Sequence, residues 1–135
     1  MVKNFLSIDD VNKKELLALL DRAAELKKEV KKGKDQTKLL RGKSLGLIFE
    51  KPSLRTRISF DVGMKQLGGS VLVLNSSEIQ IGEREARSDV AKVMSCYLDA
   101  LMIRTFGHEV LTETASFATI PIINGLSDLE HPCQT

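Results

Sequence analysis

The chain has 135 residues, 42% of them hydrophobic and 28% charged, a balance ordinary for one soluble globular domain with a core of its own. A net charge of +2 makes no general case for nucleic acid, and an aromatic content of 4% leaves little with which to stack bases. The two cysteines, Cys96 and Cys133, stand far apart without neighbouring ligands, which fits a reduced cytoplasmic protein better than a disulfide framework or a zinc site. No run reaches membrane-spanning length, and Asp9 and Asp10 interrupt the N-terminus before a secretory signal could form.

The first predicted element is a helix starting at Asn12, with Glu15 completing a capping box and Gly33 as the stop. Its apolar stripe is Leu16, Leu19, Ala23, Leu26 and Val30. The lysines near its end (Lys27, Lys28, Lys31, Lys32, Lys34) read as a solvated face that complements the helix dipole, with an acidic partner as the alternative. Four short buried strands are predicted at Leu45–Phe49, Val71–Leu74, Leu101–Arg104 and Ile120–Ile123. Between them run helical patterns on Phe60/Met64/Leu67, on Val90/Met94/Tyr97, and a weaker one through Val110, Leu111, Ala115 and Phe117. This alternation predicts an α/β domain in three layers, α/β/α, with a central parallel sheet of about four strands.

Ser53-Leu54-Arg55-Thr56-Arg57 lies where the first strand gives way to a helix. The first turn of a helix presents unpaired N–H groups and a partial positive charge. Two guanidiniums and two hydroxyls on that turn add forked donors suited to phosphate oxygens, so the segment reads as a phosphate-binding loop. The alternative is that Pro52 and Ser53 merely start and cap the helix, with the arginines solvated.

Ligands of open α/β sheets bind outside the C-terminal ends of the strands, and there the sequence gathers its chemically able residues. The first strand runs into Glu50–Arg57, the second into Asn75–Arg84, the third into Arg104-Thr105-Phe106-Gly107-His108, and the fourth into Asn124-Gly125 and then His131-Pro132-Cys133-Gln134. Taken singly, Arg104 could be a surface residue at a strand end and His131 a loop residue before a proline.

Together, Glu50-Lys51-Pro52-Ser53-Leu54-Arg55-Thr56-Arg57, Ile103-Arg104-Thr105-Phe106 and His131-Pro132-Cys133-Gln134 resemble the carbamoyltransferases, and more closely the ornithine carbamoyltransferases. The resemblance runs from the first helix to the last residue. It implies that residues 1–135 are the carbamoyl-phosphate-binding domain of an enzyme whose second, amino-acid-binding domain would follow Thr135. By similarity, Ser53, Arg55, Thr56 and the backbone of Leu54 would hold the phosphate. Arg104 and His131, with Thr56, would contact the carbamoyl oxygen as the catalytic pair, and Gln134 would accept from the carbamoyl nitrogen. Arg57 would support the loop. The family usually has Thr where this chain has Leu54, which removes a hydroxyl but keeps the backbone donor.

Three places favour the ornithine type over the aspartate type by resemblance: Ile79-Gln80-Ile81-Gly82-Glu83 in place of a loop lysine, Thr105-Phe106 after Arg104, and Cys133. Gln80 would reach into a neighbouring subunit's site, although without the family it reads as an ordinary loop residue. The resemblance further implies a trimer, cytoplasmic arginine-biosynthesis or urea-cycle chemistry, and no metal or redox cofactor. It gives no nucleic-acid or membrane partner, and ornithine would be bound only through the second domain. The chain alone is expected to form no citrulline, and to show apolar surface where the family's C-terminal helix would pack. The alternatives are a free-standing or engineered phosphate-binding module, or a domain of a putrescine or aspartate carbamoyltransferase.

Overall fold

A computed structural model describes residues 3–75 and 86–134. After a 3-10 turn at Ile8–Asp10, the elements are α1 (Lys13–Lys31), β1 (Ser44–Phe49), α2 (Arg55–Gln66), β2 (Ser70–Asn75), α3 (Arg87–Tyr97), β3 (Ala100–Arg104), α4 (His108–Phe117) and β4 (Ile122–Leu126). The strands form one parallel sheet in the order β2-β1-β3-β4. The three-layer α/β architecture read from the sequence is therefore the one observed.

Side chains alternate across each strand, so β1 feeds two cores at once. Leu45, Leu47 and Phe49 join Met102 of β3 on one face, where Phe60 and Met64 of α2 cover them. Ile48, Leu101, Ile103 and Ile122 point to the other face, against Val90 and Leu98 of the α3 region and Leu111 of α4. Both central strands are covered on both faces, which is why they read as nearly unbroken apolar runs. The edge strand β2 alternates instead, with Leu72 exposed.

Three local expectations are corrected. The fourth strand runs Ile122–Leu126, later than Ile120–Ile123. It continues through polar Asn124-Gly125 because the Asn124 side chain finds partners inside the protein. A register shift sits there: Ile103 pairs with Asn124 and Arg104 with Leu126, leaving Gly125 as a bulge. The α1 stripe is also not a core stripe. Its capping box on Asn12 and Glu15 and its end at Gly33 (φ 74°) are as predicted, but none of its residues is buried. Finally, Tyr97 ends α3 exposed to solvent, one residue before the buried Leu98 takes the inward position.

The chain order of the strands reverses across β1, since β2 lies on one side of it and β3 on the other. Loops leaving β1 and β3 therefore diverge and leave a crevice at their C-terminal ends, the usual ligand position in such sheets. No helix among the described residues is long and apolar enough to cross a membrane.

Candidate functional site

The crevice is built first by α2. Its N-cap is Leu54, in helical conformation (φ −84°, ψ −57°), and no side chain caps the first turn. Neither Pro52 nor Ser53 acts as the cap that the alternative reading required. The first turn of α2 also contains no carboxylate, whereas α1, α3 and α4 each carry one there (Glu15, Asp89 and Glu109). Acidic residues normally offset the positive end of a helix. At α2 that end is left open and is reinforced by Arg55 and Arg57.

The predicted residues then divide between two cavities. One, of about 430 Å³, is lined by Arg55, Thr56, Ser59, Phe60, His131, Cys133 and Gln134. This brings together residues from the β1–α2 loop and from the far C-terminal segment, 75 positions apart at Thr56 and His131. The buried Thr56 places its Oγ1 3.4 Å from His131 Nε2. The other cavity, of about 460 Å³, is lined by Glu50, Lys51, Ser53, Leu54, Arg57 and Asn75. Consecutive residues of one helical turn point roughly 100° apart, which is why Ser53 and Arg57 part from Arg55 and Thr56. Leu54 is 75% exposed, and its apolar side chain brings no hydrogen-bond donor to the cavity it lines.

Arg104 lines neither cavity. It ends β3 half-buried, with Nη1 3.5 Å from the carbonyl of the bulged Gly125. Its Nε and the Nδ1 of His131 are buried with no hydrogen-bond partner among the described residues. Burial holds the His131 imidazole below its ordinary pKa, and the neighbouring Arg104 charge lowers it further. His131 is thus the neutral imidazole at pH 7, able to donate one N–H without adding a second fixed cation. Cys133 is exposed as a residue, but its sulfur turns onto Asn124 O at 3.4 Å, and that burial pushes the thiol up to about 11. It is therefore a thiol, not a nucleophilic thiolate, at neutral pH.

Two functional supports escaped the sequence reading. The Glu50 carboxylate accepts from the Thr105 hydroxyl and from Phe106 N (3.3 Å), while Glu50 N donates to Arg104 O (2.8 Å). Lys51 Nζ lies 4.4 Å from the Phe106 ring centroid. The loops flanking the crevice are thus tied to each other, and one oxygen of the Glu50 carboxylate, Oε2, takes both bonds. Pairings between positions 55 residues apart carry no local signal. Asn124 is the second support, and only its burial reveals it. Gln80 lies outside the described residues.

Comparison with known proteins agrees with this geometry. Residues 3–135 match the family model described as "Aspartate/ornithine carbamoyltransferase, carbamoyl-P binding domain". The chain is 54% identical over 132 residues to an ornithine carbamoyltransferase of Anoxybacillus flavithermus, covering 98% of this chain and 42% of that one. It is 52% identical over 134 residues to one from Pelobacter propionicus, covering 99% and 44%. The solved ornithine carbamoyltransferase of Pyrococcus furiosus superposes with a TM-score of 0.95 at 44% identity, over 98% of this chain and 42% of that one. The chain thus spans a little under half the length of these relatives. With a matching model over nearly every residue and a matching fold, the chain belongs to the aspartate/ornithine carbamoyltransferase family, in its carbamoyl-phosphate-binding domain.

Proposed function

We propose that this domain binds carbamoyl phosphate and presents it to the amine of ornithine, as the first half of an ornithine carbamoyltransferase. The observation that carries this reading is the open, carboxylate-free N-terminus of α2 with Arg55 and Thr56 facing His131 and Gln134 across one cavity. In this reading Ser53, Arg55, Thr56 and the first-turn N–H groups, including that of Leu54, take the phosphate. Arg104, His131 and Thr56 turn donors toward the carbamoyl oxygen, Gln134 accepts from the carbamoyl nitrogen, and Arg57 supports the loop.

The chemistry follows from those roles. The ornithine amine attacks the carbamoyl carbon, a new N–C bond forms, the C–O bond to phosphate breaks, and the amine gives up a proton. Negative charge develops on the carbonyl oxygen and then on the departing phosphate. Cationic and N–H donors already in place at both points stabilise that transition state. The products are citrulline and phosphate, a step of arginine biosynthesis in the cytoplasm. Gln80 would complete the site of a neighbouring copy in a trimer. Ornithine itself would be held by residues beyond those of this chain, so the 135 residues alone form no citrulline. Aspartate as the acceptor is disfavoured by Thr105-Phe106 and Cys133 only through resemblance, and putrescine is the alternative acceptor that this domain does not discriminate.

The test is a calorimetric titration with carbamoyl phosphate beside Arg55→Ala. Loss of a charge-assisted contact costs about 1.5–3 kcal/mol, roughly a 10- to 150-fold weaker affinity. Equal binding by the two proteins would refute the assigned anion site.

A further inference from the structure

The loop from Ser127 to Gln134 carries His131 and Gln134, and its first two residues are tied to the β3–α4 turn: Asp128 N donates to Phe106 O at 3.0 Å, His108 N donates to Asp128 Oδ1 at 2.9 Å, and the Ser127 hydroxyl lies 3.0 Å from His108 Nδ1. The bonds within the loop are local. Ser127 N donates to Glu130 O (3.0 Å) and Gln134 N to His131 O (2.9 Å). Such bonds set the shape of a loop, not its place in the molecule. The place of its second half, from Glu130 to Gln134, is set at Asn124, which is fully buried. The Asn124 Nδ2 donates to Leu6 O at 2.8 Å and to Glu130 O at 3.3 Å, and its Oδ1 accepts from Leu126 N at 2.9 Å. Its main-chain oxygen accepts the Cys133 thiol at 3.4 Å.

Leu6 belongs to an N-terminal segment that lies along the open edge of β4. Phe5 bridges to Ile123 in parallel, with Phe5 N to Ile122 O and Asn124 N to Phe5 O both at 2.8 Å. Asn4 Oδ1 accepts from Ile122 N at 2.9 Å. The site loop reaches back in turn, since Glu130 Oε2 accepts from Ile8 N at 3.1 Å. One buried amide therefore stands between the first residues of the chain and the loop that closes the cavity.

We propose that Asn124, with the N-terminal segment Asn4–Ile8 and Glu130, is a positioning device that sets His131 and Gln134 against Thr56. A buried amide whose donors and acceptor serve three chain segments leaves several groups unpaired if it is altered. The inference rests on the carbamoyl phosphate reading above and separates from it cleanly. Arg55 and the first turn of α2, which hold the phosphate end in that reading, have no hydrogen bond to Asn124. Misplacing the loop should therefore harm recognition of the carbamoyl group and spare recognition of phosphate, which a general loss of folding would not do.

The experiment titrates the unaltered chain, Asn124→Asp and Glu130→Ala with carbamoyl phosphate and, separately, with inorganic phosphate. Asp keeps the shape of Asn but turns a carboxylate toward two carbonyl oxygens. Glu130→Ala removes only the tie to Ile8, and so remains informative if Asn124→Asp does not fold. The expected result is carbamoyl phosphate affinity weakened by about tenfold or more, with phosphate affinity within about twofold. Hydrogen exchange at the Gln134 amide should quicken, and Glu130→Gln, which keeps an acceptor for Ile8 N, should behave as the unaltered chain. Parallel weakening of both ligands, or no change in either, overturns the proposal alone. An unaltered chain with no preference for carbamoyl phosphate over phosphate overturns the functional reading, and the proposal with it.

Discussion

His131 illustrates how much one ring depends on its surroundings. Burial first, and then the Arg104 charge, hold its imidazole below the ordinary value of about 6.5. The folded state thus binds that proton less readily than the unfolded chain. The sign follows from linkage: this contribution to stability is whole above about pH 6.5, declines as pH falls below it, and levels off below the folded value. Urea midpoints measured at pH 7.5, 6 and 5 should fall more steeply for the unaltered chain than for His131→Asn, and parallel profiles would contradict the assignment. Arg55 acts in the opposite sense, since it is exposed and makes no ion pair with a described residue. Its replacement by Ala should change stability by no more than about 0.5 kcal/mol while the anion affinity falls, as thermal melts beside the titration would report.

Among the elements, β4 does most to connect fold and site. Gly125 bulges out of register between Asn124 and Leu126, and its carbonyl faces Arg104. A Cβ at Gly125 would collide with Met102 Sδ and come within 3.3 Å of Ile103 O. Leu126, next in the chain, holds a φ of 142°, the only positive value for a non-glycine among the described residues. Such conformations persist where the surroundings over-determine them, often beside functional groups. Gly125→Ala should therefore destabilise the domain by about 1–3 kcal/mol and displace Arg104. A chemical denaturation curve superimposable on that of the parent would show that Met102 simply moves aside. At the element level the sequence was informative wherever patterning is local. The capping box of α1 and the apolar runs of β1 and β3 depend on residues within one or two turns or a single strand, and both were read directly. The end of β4 was not, because Asn124-Gly125 reads as a turn until the partners of Asn124 are known.

For the whole molecule, the sheet order β2-β1-β3-β4 places the crevice, and the helices leave part of the surface uncovered. Leu17, Leu19 and Leu20 of α1 are each at least half exposed. A groove of about 530 Å³, lined in part by Leu40, Leu45, Met64, Leu67 and Ile123, opens along α2 and shares Phe60 with the site cavity. Apolar surface of this kind binds hydrophobic dyes or drives association. The 135-residue chain is expected to enhance the fluorescence of such a dye or to self-associate at micromolar concentration. A monodisperse monomer that leaves the dye dark, by light scattering and fluorescence, would be inconsistent with these faces being open in solution.

The α/β class and the donor-rich segments that follow the strands are legible in the sequence by itself, because strand alternation, helical periodicity and polar turns are properties of neighbouring residues. Even the gathering of Arg55, Arg104 and His131 on one rim was legible, since parallel strands send all their C-terminal ends the same way. That Thr56 meets His131, that Glu50 is tied to Thr105, and that Asn124 joins Leu6 to the His131 loop emerges from the folded chain alone. These contacts span 75, 55 and 118 positions. They follow from strand order, register and one bulge, which are settled by packing across the whole sheet and leave no periodic trace in the chain.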